Sequence, residues 1–158
     1  MKYFLSITLF LLAPSLFAQT LSQPFYRAEV GDGWVPSIEK GSQSNAGFGD
    51  PVSIHHPDRD GILKILSFRA PISVDPKRLR ELTNVDWSEQ LDWETWGDFS
   101  GYQYSYFEKG LFHRQWWLAR KKTILFFVYS ASDEPKQAET SEIERIVRSI
   151  TANATTQI

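Results

Sequence analysis

Between Trp93 and Tyr129 the chain carries thirteen of the nineteen aromatic residues that follow Ala18, and their alternation constrains the fold more than any other feature. Bulky rings at every second position suit a pleated strand, whose successive side chains point to opposite faces. Gly101 to Phe107 sets Tyr102, Tyr104 and Tyr106 against Gln103, Ser105 and Phe107. After a Lys109-Gly110 turn, Leu111 to Arg120 places Phe112, Arg114, Trp116 and Leu118 on one face and His113, Gln115, Trp117 and Ala119 on the other. Lys121-Lys122 turns the chain again. The run Thr123 to Ser130 is so continuously apolar that both its faces need cover, which predicts a place near the middle of the sheet. A sheet with large side chains on both faces must be covered on both sides or must offer one side to a partner.

The flanking segments supply the cover. Gln23 to Val30 reads as an entry strand, and Gly31-Asp32-Gly33-Trp34-Val35-Pro36 as a turn whose indole plugs one end of the core. Glu39 to Asp50 is rich in Gly, Ser and Asn around the single large apolar residue Phe48, and so reads as a loop. Pro51 to His56 and Ile62 to Ala70 form a hairpin across the Asp60-Gly61 turn signal. Asp75 and Pro76 occupy the cap and first-turn positions of a short helix with Leu79 and Leu82 on one face. Asn84 to Glu94 fits a helix only in part, through Trp87 and Leu91. At the far end, Ile143, Ile146, Val147 and Ile150 form an apolar stripe with Glu142, Glu144, Arg145 and Arg148 facing water. Asp133 or Ser132 is the expected cap of this helix, and the polar tail from Thr151 is expected to fray. The predicted class is α+β: a central antiparallel sheet flanked by helices, with the C-terminal helix packed on it.

The 158 residues suit one domain after a leader. Met1-Lys2, the apolar run Tyr3 to Leu12 and the small-residue stretch ending at Ala18 have the order of a secretory signal, with cleavage expected after Ala18 and a single domain over 19–158. That implies a periplasmic protein. No later stretch approaches the roughly 20 apolar residues of a membrane helix. The chain has no cysteine, so the core must suffice without disulfides. The formal charge of -2 becomes -3 once Lys2 leaves with the leader, which gives no electrostatic reason to expect nucleic acid or an anionic membrane surface.

Taken together, Gly33-Trp34, the run Tyr102 to Tyr106, Arg114-Gln115-Trp116-Trp117-Leu118, Ile124 to Tyr129 and the closing Ile146-Val147-Arg148-Ser149-Ile150 resemble the PsbP-like fold family. Its members include photosystem accessory proteins, a Ran-binding nuclear-import factor and DcrB-type bacterial envelope proteins. The resemblance implies an antiparallel sheet flanked by helices and a binding or assembly role. It carries no catalytic motif to this chain.

Individual residues offer little chemistry. His55 and His56 are adjacent, so in a strand their rings diverge, and a metal site is not expected. His113 would need an orienting carboxylate to act as a base, for which Glu108 across the hairpin is the candidate. Asp92, Glu94 and Asp98 lie among Trp93, Trp96 and Phe99, a grouping that would serve glycan hydrolysis if two carboxylates faced each other across a cleft. Their ordinary role is solvation of a turn whose indoles point inward. Tyr102, Tyr104 and Tyr106 are core if a helix covers them and a recognition stripe if none does.

The expectation is therefore a protein without catalytic residues, metal or cofactor that binds another envelope protein or a toxin. It would act either as an assembly and maintenance factor or as an immunity protein. The candidate contact residues are Phe48, Trp93, Glu94, Trp96, Asp98, Phe99, Tyr102 and Tyr104. The alternatives are a cell-wall glycan hydrolase using the carboxylates near Trp93 and Trp96, and a carrier of an apolar small molecule between sheet and helix.

Overall fold

A computed structural model describes residues 19–41 and 47–154. The expected leader, the centre of the Gly/Ser/Asn-rich loop and residues 155–158 lie outside the described residues. Ten strands and two helices follow one another as β1 (Gln19–Ser22), β2 (Tyr26–Val30), β3 (Val35–Ile38), β4 (Val52–His55), β5 (Ile62–Arg69), α1 (Pro76–Leu82), β6 (Glu94–Trp96), β7 (Phe99–Glu108), β8 (Leu111–Arg120), β9 (Thr123–Ala131), α2 (Gln137–Arg148) and β10 (Thr151–Ala152). They build two antiparallel sheets, one of seven strands in the order β3-β4-β5-β9-β8-β7-β6 and one of three in the order β1-β2-β10.

The aromatic block forms β7, β8 and β9 with the expected faces and turns. Lys109 and Gly110 both have positive φ, at 50° and 77°, the backbone twist that suits a two-residue hairpin loop. The apolar strand β9 stands fourth of seven, in the middle of the sheet. Cover on both faces extends only over its first half: Phe126, Val128 and Ser130 are half-buried, while Leu125, Phe127 and Tyr129 are enclosed.

One side of the large sheet holds the main core. Phe99, Phe112, Trp116, Leu118, Phe127 and Tyr129 meet Tyr26, Ala28 and Val30 of the small sheet and Ile143, Ile146, Val147 and Ile150 of α2 and its end. The helix stripe is thus buried as its spacing requires. Trp34 is buried in this core, and its indole N–H donates to Glu142 Oε2 at 2.8 Å.

Several boundaries differ from the sequence reading. Strand makes up 46% and helix 15% of the described residues, so a second sheet, and not a second helix, shares the covering of the core side with α2. The turn drawn through Val35-Pro36 is instead the edge strand β3, where a proline costs little because its missing N–H faces no neighbour. The expected cap Ser132 is engaged elsewhere, its amide and hydroxyl both bonding Asp60 Oδ2, and α2 starts later with Lys136 at the cap position and no side-chain cap bond. Thr151 and Ala152 do not fray: they are β10, paired with Arg27 and Tyr26. In α1, Asp75 Oδ1 accepts the Arg78 N–H at 2.8 Å as expected, but Leu82 is exposed while Leu79 and Arg80 are the buried pair.

Among the described residues, the opposite side of the large sheet is met by α1 and the segments just before and after it. A smaller cluster, Leu79 with Tyr102, Ala119 and Ile124, fills that corner against Phe68, Val74, Leu91 and Trp117. The rest of that side is open.

Candidate functional site

The open side can be read row by row from the strand register, because directly opposed residues on neighbouring strands share a face. One row runs Val35, His55, Ile62, Ser130, His113, Tyr106. The next runs Ser37, Ser53, Lys64, Val128, Gln115, Tyr104. A third, Leu66, Phe126, Trp117, Tyr102, passes under α1 at its last position. Val35, Ile62 and Leu66 are each at least 40% exposed on this face. It is a broad mixed face in which apolar and aromatic side chains alternate with serines, two histidines, Gln115 and the central Lys64.

Toward β7 the face deepens into a groove of about 640 Å³ between the sheet and the segment that follows α1. Tyr104, Tyr106, Gln115, Trp117 and Phe126 form its sheet side, and Leu82, Thr83, Val85, Glu89 and Leu91 its other wall. Gln115 fixes the rings. Its Oε1 accepts from the Tyr104 hydroxyl at 2.6 Å and from the Trp117 indole N–H at 3.2 Å, and its Nε2 donates to the Tyr106 hydroxyl at 2.7 Å. The Tyr104 and Tyr106 rings stack with centroids 5.9 Å apart, and Tyr106 stacks in turn on His113 at 5.1 Å. Burial pushes both phenol pKa values up, so both hydroxyls remain neutral, Tyr104 donating to Gln115 and Tyr106 accepting from it.

The opposing wall is held by one buried cation. Arg80 donates from Nη1 to Thr83 Oγ1 and Val85 O, at 2.9 and 3.2 Å, and from Nη2 to Asp86 O and Glu89 O, at 2.7 and 2.9 Å. Four acceptors on one planar fork give the segment its shape without regular secondary structure. This explains why Asn84 to Glu94 shows only a partial helical pattern. Electrostatically the region is one-signed: from Glu81 to Glu108 the chain has seven carboxylates and no lysine, arginine or histidine.

The candidate contact residues separate into two groups. Trp96, at 2% exposure, Phe99, at 0%, and Tyr102, at 8%, are core and present no contact surface. Trp96 and Phe99 oppose each other across the Gly97-Asp98 turn, made possible by Gly97 at φ 56°, and both point to the α2 side. Tyr102 lies under α1, its hydroxyl donating to Pro76 O at 3.1 Å. Trp93 is 42% exposed and meets the Tyr102 ring edge-on. Phe48 is half exposed, bridges Phe68 and packs on its ring. Tyr104 belongs to the groove. Tyr106 belongs to the tyrosine stripe already considered; the residues missing from the candidate contacts, Gln115, Trp117, Phe126 and Val128, were recoverable by carrying the strand alternation from β7 across β8 and β9.

The geometry does not assemble the chemistry considered above. Asp98 Oδ2 accepts the Ala152 N–H at 2.9 Å and Glu94 lies 4.0 Å from Arg148, so each carboxylate has a structural partner. With Trp96 and Phe99 buried, the aromatic platform beside them is reduced to Trp93. His113 Nδ1 lies 2.8 Å from Ser130 Oγ and its ring on Tyr106; Glu108, whose cross-strand partner is Leu111, does not orient it. His56 turns toward Trp34, with its Nδ1 accepting the Asp58 N–H, while His55 lies on the open face.

No protein-family model matches the chain, and the search of curated proteins returns no match. Among solved structures, the chain is similar to a protein from Bacteroides thetaiotaomicron VPI-5482 whose crystal structure was determined at 1.50 Å, with a TM-score of 0.54 and 15% identity. The match covers 81% of this chain and 45% of that one, so the shared fold spans less than half of the longer protein. At that identity the likeness speaks to fold alone.

Proposed function

We propose that this chain is an exported, periplasmic, non-enzymatic binding domain that presents the open face of its seven-stranded sheet to another protein. The observation that carries the reading is the row structure of that face. Apolar and aromatic side chains from β3, β5, β9, β8 and β7 are set in register, with Ser53 and His55 between them on β4, and among the described residues one corner is covered. Rigid tyrosine and tryptophan rings with fixed hydroxyls are the side chains that most often anchor protein contacts. The one-signed stretch from Glu81 to Glu108 favours a partner with a basic surface, through complementarity that steers encounter. The resemblance to PsbP-like envelope proteins agrees with this role. Both an assembly factor and an immunity protein would use such a face.

Photo-cross-linking tests the assignment. A cross-linking residue at Val128 on the open face is expected to capture a protein from the envelope, and the same residue at Ser141 on the exposed side of α2 is expected not to. Adducts at position 141 in place of 128, or none at either, would remove the reading.

A further inference from the structure

A second site lies on the other side of the large sheet, at the end where β8 turns into β9. A pocket of about 140 Å³ is lined there by Arg69, Arg120, Lys121, Lys122, Ser73 and Asn153 together with four uncharged residues. Four of its lining residues are cationic and none is acidic, in a chain whose formal net charge is -2. The register shows how the arginines come together. Arg69 on β5 and Arg120 on β8 are the two cross-strand partners of Thr123 on β9, so both stems leave the sheet on the same face and flank one buried threonine. Arg120 is half-buried and forms no ion pair among the described residues.

An arginine keeps its charge throughout the accessible pH range, and a guanidinium partly withdrawn from water without a counter-charge is costly. The walls are built before any ligand arrives. Ala70 N–H donates to Lys122 O at 2.7 Å and Val74 N–H to Lys121 O at 2.8 Å, tying the segment after β5 to the turn, and Asn153 N–H donates to Phe25 O at 3.4 Å on the far side. A volume of 140 Å³ has room for a compact anion. The five N–H donors of Arg120, beside the ammonium groups of the turn lysines, engage more oxygens than a single carboxylate offers.

We propose that this pocket binds a small tetrahedral oxyanion: phosphate or the phosphoryl end of a phosphomonoester. Arg120 supplies the fork, and Arg69 with the paired lysines of the turn supplies positive charge around it. The site is remote from the open sheet face and stands or falls independently of it.

The test titrates the protein with inorganic phosphate while following heat and backbone amide shifts, alongside flotation with phosphatidylcholine vesicles with and without phosphatidic acid. Saturable phosphate binding is expected, with shifts centred on Thr123, Ala152 and Asn153. Arg120→Gln should weaken it about tenfold or more, and Arg120→Lys should recover part of the loss. Flotation that needs phosphatidic acid and is lost in Arg120→Gln identifies the phosphoryl source as lipid; phosphate binding without flotation identifies it as soluble. Absence of both phosphate binding and flotation, shifts centred elsewhere in the unmutated protein, or binding unchanged in both Arg120→Gln and Arg69→Gln would overturn the assignment.

Discussion

Trp34 and Glu142 are joined across 108 positions of sequence by a hydrogen bond of 2.8 Å from the indole N–H to Oε2, the oxygen that also pairs with Arg59 Nη1 at 2.6 Å. One carboxylate on α2 therefore ties the β2–β3 turn and the β4–β5 turn to the helix. The Arg59 hydrogen bond, with a smaller contribution from Trp34, holds the Glu142 pKa below the ordinary glutamate value. A carboxylate depressed in the folded state contributes in full above its unfolded value and loses that contribution as pH falls through its folded one. Glu142→Gln should lower stability at neutral pH by about 1 kcal/mol, discounted for partial exposure, and melts taken at decreasing pH should show the gap to the parent closing below the usual carboxylate range.

Trp116 is fully buried and its indole N–H finds no hydrogen-bond partner. Truncation to alanine should cost about 3–5 kcal/mol through lost contacts and the cavity left behind. Trp116→Phe removes the unsatisfied N–H together with part of the volume and should cost about 1.5 kcal/mol or less. Denaturant unfolding of the two variants checks the order, and equal losses would contradict the packing described.

The groove wall depends on Arg80 more than on any apolar contact. Lysine offers one compact ammonium where the fork serves four acceptors, so Arg80→Lys should free the segment from Val85 to Glu89. Amide hydrogen exchange in that segment should accelerate about tenfold or more while the strands β7, β8 and β9 keep their protection. Uniform acceleration throughout the chain would mean that the fork stabilises the whole fold and not the wall.

Gln115 separates recognition from stability. It lies at the open face, where Gln115→Leu keeps much of the volume but releases Tyr104, Tyr106 and Trp117 from a common hub. Stability should change by about 1 kcal/mol or less, whereas cross-linking from position 128 should fall several-fold.

How far the sequence reached depended on whether a segment's neighbours in space were also its neighbours in the chain. The hairpins β4–β5, β7–β8 and β8–β9, the Asp75 cap and the α2 stripe follow from local alternation, turn residues and helical spacing, and each is where those signals put it. β1, β3 and β10 are short strands whose partners give them shape, and nothing in Thr151-Ala152 announces that Arg27 and Tyr26 await them. The burial of Arg80 in place of Leu82 has the same cause, since the carbonyls that neutralise it belong to a segment with no periodicity. At the candidate site, nearness in sequence grouped Trp93, Trp96 and Phe99, while the pleat sends Trp96 and Phe99 one way and leaves Trp93 against Tyr102.

The pairing of β10 with β2 also sets a schedule. Tyr26 and Arg27 are synthesised early, yet the two residues that complete their ladder arrive more than a hundred positions later. Until then one side of β2 lacks its hydrogen-bonding partner, the kind of open strand edge that proteases and holding chaperones engage. A chain cut short before Thr151 would therefore keep β2 as an unpaired edge, a template for pairing with a second molecule.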